Sequence, residues 1–359
     1  MTLALARLQT GWQAHVHPLM LGGLAAALLL VMGVALCVGP MPIDGAALLK
    51  LLGHKLGFVA AGASPVQDAV MFSIRLPRVL LAAAVGAILG ASGSALQGLF
   101  RNPLADPALL GVSSGAALGA AVWIVFGTAL TALLPWLALG GYARAVAAFA
   151  GGVAATFVIF RLSGRQGRTS VATLLLAGIA INALGGAALG LLTYLSSDRE
   201  LRDLTYWLLG SFGGATWHAC WLLLPAAVVL CVVFSRHAGV LNIFMLGENE
   251  AHYLGVHVQR LKTVLVLVVA LGVGLSVAFT GMISFIGLVT PHLLRLSGGP
   301  DHRLVIPGAA LLGALLCVGA DAIARTLVSP AELPVGILTA LIGAPFFMWL
   351  LVRQRRLEF

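Results

Sequence analysis

From Trp217 to Phe234 the chain reads WHACWLLLPAAVVLCVVF, with no Asp, Glu, Lys or Arg and no division into polar and apolar faces. Such a run predicts a helix that crosses a bilayer. About 20 apolar residues span the hydrocarbon core, and a helix satisfies its own backbone hydrogen bonds there. Similar runs recur near 19–38, 77–99, 107–127, 143–160, 170–195, 261–281, 282–296, 304–328 and 335–352. None alternates as the strands of a membrane barrel do. With 9% charged residues and a mean hydropathy of +1.04, the 359 residues lie outside the range of soluble domains. The expected fold is all-α: one polytopic membrane domain over 1–359, about ten helices in a compact bundle, with a polar loop at 240–260. The run at 19–38 is too long for a signal peptide and lacks a small-x-small cleavage site, so it counts as the first span.

A net charge of +9 would suit nucleic acid, but its placement assigns it to the membrane. With ten spans and the amino terminus inside, the inner segments hold Arg7, Arg101, Arg161, Arg165, Arg168, Arg236, Arg260, Lys262, Arg295, Arg303, Arg353, Arg355 and Arg356. Only Asp106, Glu248, Glu250, Asp301 and Glu358 oppose them. The outer segments hold Lys50, Lys55, Arg75, Arg199 and Arg202 against Asp44, Asp68, Asp198, Glu200, Asp203 and Glu332. The positive-inside rule then places both termini in the cytoplasm. The apolar stretch Ala129–Gly140 would invert this if it crossed; short and holding Pro135, it reads as an outer hairpin or helix extension.

Motifs of catalysis are missing. Cys37, Cys220, Cys231 and Cys317 stand singly in apolar segments, without a C-x-x-C pair. No two of the nine histidines share a span at helical spacing, so no resident metal or cofactor is expected. None of Lys50, Lys55 and Lys262 lies in a phosphate-binding G-x-x-x-x-G-K-[ST] loop, so any ATP and Mg must be handled by another protein.

The polar features that remain are few. GENEAHYLGVHVQRLK (247–262) is a polar island between two apolar runs and reads as a contact surface. FRNPLADP (100–107) holds two helix-breaking prolines and two turn formers, a rigid corner or a gate. Asp321 and Arg325 lie four apart on one helix face and can pair. Arg75 and Arg78 flank the outer mouth of the second span, as membrane anchors or as a docking site for an acidic partner. Small residues at spacings of four (Ala82, Gly86, Gly90, Ser94, Gly98; Gly111, Gly115, Gly119) suit close helix packing.

Several strings together resemble a known family. RLPR (75–78), QGLFRNPLADPALLGVSSGA (97–116), LLLAG (174–178), YWLLGSFGG (206–214), LGENEAHYLGV (246–256), FIGLVTPHLLR (285–295), GGPDHR (298–303), ADAIAR (320–325) and ELPVGILTALIGAPFF (332–347) resemble the FecCD-type permeases. These are the membrane subunits of type II ABC importers for iron-siderophores, haem and vitamin B12.

The resemblance implies a homodimer of this subunit, two cytoplasmic ATP-binding subunits and a periplasmic substrate-binding protein. It implies that the polar island forms two short helices seated in the ATPase. Gly247 and Gly255 would bend the chain, Leu246, Tyr253 and Leu254 would give apolar contact, and Glu248, His252 and Arg260 the polar rim. Arg75, Arg78 and Arg325 match arginines that meet the binding protein; Asn102, Leu104, Val171 and Ala172 match the cytoplasmic gate. Where the vitamin B12 permease has small hydroxyl residues, Val171 and Ala172 make this gate more apolar. Overall resemblance favours haem as the cargo, with ferric siderophores and cobalamin as alternatives. An ion-coupled transporter would need an unpaired intramembrane acid, and Arg325 is placed to neutralise Asp321.

Overall fold

The computed structural model describes residues 2–41, 43–58, 64–137, 139–165, 168–328 and 331–355. Arg356 and Glu358, counted above among the inner charges, lie outside them. The chain is helical almost throughout: α1 (Thr2–Cys37), α2 (Gly45–Lys55), α3 (Pro65–Ala69), α4 (Leu76–Phe100), α5 (Val112–Leu133), α6 (Ala143–Ser163), α7 (Val171–Leu195), α8 (Asp198–Leu208), α9 (Trp217–Phe244), α10 (Glu248–Tyr253), α11 (Val258–Thr280), α12 (Ile286–Gly298), α13 (His302–Thr326) and α14 (Val335–Arg355). A two-residue antiparallel ladder, Gly164–Arg165 with Arg168–Thr169, closes the turn between α6 and α7.

Among the described residues, eight helical stretches are long and apolar enough to cross a membrane, and Val335–Trp349 within α14 is a shorter apolar stretch. The expected span at 282–296 is the thirteen-residue α12. It is short because the chain breaks after α11: Gly281 and Phe285 both take positive φ, which ends one helix and restarts the next. The stretch Ala129–Gly140 does not cross. It completes α5 and then coils into a 3-10 turn at Pro135–Leu137.

α4 is the axis of the bundle. Ser64 and Gln67 cap α3 reciprocally, and a π-helical stretch, Val70–Arg75, leads directly into α4. α4 is buried along nearly its whole length against α9, α11, α12 and α13. Its small residues permit this. A methyl on Gly86 would collide with the Gly313 carbonyl of α13, and one on Gly93 with the Gly287 carbonyl of α12. Gly115 and Gly119 of α5 meet Gly151 and Ala147 of α6 in the same way. α7, and α1 from His17 to Cys37, lie at the other extreme, with few of their residues buried.

These crossings define two ends. At one, the C-terminus of α1, the starts of α4 and α9 and the end of α13 come together; Trp217 Nε1 there donates to the Phe72 carbonyl at 2.8 Å. At the other lie the ends of α4, α9 and α12, the start of α13, and α10.

Candidate functional site

The first end is an ion network. Arg78 reaches the Asp321 carboxylate through Nε and Nη2 at 3.0 and 2.9 Å, and Glu332 through Nη1 at 2.9 Å. Arg325 approaches the same Asp321 at 3.1 Å and donates to the Ala35 carbonyl at 3.0 Å. Arg75 donates to the carbonyls of Leu36 at 2.7 Å, Cys37 at 3.0 Å and Met41. The last carbonyls of a helix have no partner within it and form the negative end of its dipole. Two arginines therefore cap α1, and a forked guanidinium can reach several such oxygens at once.

Arg75, Arg78 and Arg325, the residues expected to meet a binding protein, are each at most 5% exposed in this chain, with their donors turned inward. Among the described members of the network, Glu332, with 42% of its side chain accessible, is the one that reaches solvent. The Asp321–Arg325 pair follows from helical spacing; the Arg78–Asp321 pair joins residues 243 positions apart, with no local signal.

At the second end the polarity is reversed. α9 continues to Phe244, so the island proper is residues 245–257, and it holds one short helix, α10, rather than two. Gly247 precedes it at φ 144° and Gly255 follows it at φ 85°. Leu246, Tyr253 and Leu254 are exposed, Tyr253 by 87%. His252 and Arg260 are exposed beside them, and an open cavity of about 410 Å³ is lined by Glu248, Asn249, His252, His257, Gln259 and Arg260. Glu248 also turns inward, to Lys262 of α11 at 2.7 Å. Lys262 is buried and holds α10 to the bundle, a role its place among the inner charges did not reveal.

Near this end the turn after α4 is tightly built. Arg101 closes the helix at φ 50°, and Asn102 returns its backbone N–H to Gln97 at 3.1 Å. The Asn102 side chain accepts from Leu104 N–H at 2.9 Å. Asp106 caps the following 3-10 turn through Ala108 N–H at 2.8 Å; burial pushes its carboxyl pKa up against that bond. Asn102 is exposed and Leu104 half-buried. Val171 and Ala172 open α7, but α7 meets this segment two turns later. There Gly178 abuts the Leu109 carbonyl, and Asn182 donates to Ala108 O at 3.1 Å while accepting from Ser114 at 2.6 Å. Asn182 went unremarked in the sequence, although an amide inside an apolar helix is itself a signal.

His218 packs edge-on to Tyr142 and His292 to Phe346. Among the described residues no three His, Cys, Asp or Glu gather to hold a metal.

One helical bundle thus carries a buried ionic end, exposed apolar side chains around α10 and a tightly bonded turn after α4. The model of the FecCD transport family matches residues 26–353. The chain belongs to that family. This FecCD chain is 53% identical over 288 residues to the hemin transport system permease protein HmuU of Yersinia pestis, covering 80% of this chain and 84% of that one. It is 39% identical over 333 residues to the vitamin B12 import permease BtuC of Klebsiella pneumoniae, covering 93% of each. A solved inward-facing metal-chelate-type ABC transporter superposes with a TM-score of 0.81 at 32% identity, over 94% of this chain and 99% of that one. The chain is thus a multi-pass permease of the ABC-importer type.

Proposed function

We propose that this permease imports haem, drawing on a separate ATPase for energy and on a binding protein for delivery. The 53% identity to a hemin permease carries the choice of cargo. In this reading two copies enclose the path, with both termini in the cytoplasm of the inner membrane. Two ATP-binding subunits grip the α10 end, where Leu246, Tyr253 and Leu254 supply the apolar contact and Glu248, His252 and Arg260 the rim. Asn102 and Leu104, with Val171 and Ala172, form the cytoplasmic gate. A periplasmic binding protein meets the opposite end, which Arg75, Arg78 and Arg325 shape from within by fixing the helix termini.

ATP-dependent uptake into proteoliposomes holding the permease with its ATPase and binding protein tests the cargo. Uptake of haem, and not of cobalamin or a ferric siderophore, is expected. Preference for cobalamin would move the assignment to the vitamin B12 relatives, and preference for a siderophore to the remaining branch of the family.

A further inference from the structure

Asn242 sits on α9 five residues before Gly247, where the polar island turns out of the helix. Its side chain ties α9 to the start of α13. Nδ2 donates to Asp301 at 2.6 Å; Oδ1 accepts from the His302 backbone N–H at 3.0 Å and lies 2.8 Å from His302 Nδ1. An amide oxygen only accepts, so the network assigns the ring proton to Nδ1 and leaves Nε2 as a bare acceptor. Asp301 is itself held by the Arg303 N–H at 2.9 Å. Burial alone would raise its pKa, but these bonds and the Arg303 charge keep the carboxylate below its ordinary range.

His302 is 1% exposed, and its Nε2 has no hydrogen-bond partner among the described residues. The ring lies against Gly98 in the last turn of α4, where a methyl would come within 2.5 Å of Nε2. Interiors packed this closely transmit displacement instead of absorbing it. The same turn suspends the exit segment: Gly98 and Gln97 accept from the backbone N–H groups of Arg101 and Asn102 at 3.2 and 3.1 Å. Arg295 of α12 grips Gln97 from the other side. A line of bonds and contacts therefore runs from Asn242, in the last turn of α9 ahead of α10, through His302 and Gly98 to Asn102. A buried acceptor without a donor is unfavourable, so packing, and not a hydrogen bond of Nε2, holds the ring against the α4 turn.

Resting on the reading that α10 meets the ATPase and that Asn102 lies at the exit, we propose that Asn242 and His302 are positioning residues that carry the movement of α10 to the exit turn. The assembled importer in nanodiscs tests this by hydrogen exchange with and without a non-hydrolysable ATP analogue, alongside uptake per ATP hydrolysed. In the unaltered protein, nucleotide should change exchange at both 248–257 and 98–106. In Asn242→Ala the change at 248–257 should persist and that at 98–106 should vanish. Uptake per ATP should fall about tenfold, with ATPase co-purification and basal hydrolysis within about twofold. A full response at 98–106 with normal uptake overturns the proposal, as does a loss of hydrolysis and uptake in step with a lowered Tm. Should Asn242→Ala fail to assemble, His302→Leu, which spares the Asn242–Asp301 bond, is read the same way. No nucleotide response at 248–257 in the unaltered protein overturns the coupling reading itself, and the proposal with it.

Discussion

The two ends of this bundle are built in opposite senses. At the arginine end, charged groups that a sequence places at the surface are buried and paired, while at the α10 end apolar side chains that a sequence places inside are exposed. The difference is one of completeness. Arg75, Arg78 and Arg325 find their partners within the chain, so that end is a finished internal joint. Leu246, Tyr253 and Leu254 stay exposed, and in the proposed reading they are the surface left for a partner. Exposed apolar groups rimmed by polar ones mark an interaction site, whereas buried ion pairs mark a place where breaking one partner strands the others.

The contrast is broken most directly at Asp321. Asp321→Ala leaves Arg78 and Arg325 buried without their shared acid, and should cost about 3–5 kcal/mol. It should appear as lost yield of folded protein and a lower Tm in detergent. Arg75→Ala comes next: the carbonyls of Leu36, Cys37 and Met41 lose their donor, at roughly 1–3 kcal/mol for a buried group left unpaired. Both losses should be seen without any ATPase present. Tyr253→Ala should behave in the reverse manner, with Tm unchanged and affinity for the ATPase subunit reduced by about 2 kcal/mol, as for an aromatic hot spot. Titration with the purified ATPase measures it; normal affinity would return the exposed ring to lipid or solvent. Glu332→Gln should have the smallest effect. Its pair with Arg78 is open to water, so about 0–1 kcal/mol is expected.

What the sequence disclosed follows the range of its interactions. Apolar runs, the Asp321–Arg325 spacing and the glycine stripes are local patterns, and each corresponds to a helix, a pair or a close crossing in the structure. The fate of the arginines was not local. Arg78 meets an acid 243 residues away, and Arg75 meets backbone oxygens, which no side-chain pattern announces. The same holds for Lys262, hidden under Glu248 across a loop, and for Asn242, whose amide looks like any polar residue near a helix end until α13 is placed beside it. The break at Gly281–Phe285 was visible only as a suspiciously short span, because the left-handed turn at Phe285 uses a residue type that rarely adopts it.

The seat of α1 has a consequence for how the chain is made. Its C-terminal carbonyls receive one guanidinium from Arg75, forty residues or fewer downstream, and another from Arg325, almost three hundred residues later. Asp321, which neutralises Arg78, is equally late. During synthesis the first helix enters the bilayer long before its last partner exists, and the axial helix carries an unmatched cation for most of that time. A product cut short before Asp321 therefore retains a buried positive charge and a loose first helix. Completion of the penultimate helix is thus the step at which Arg78 gains Asp321 and the α1 carbonyls gain their last partner, Arg325.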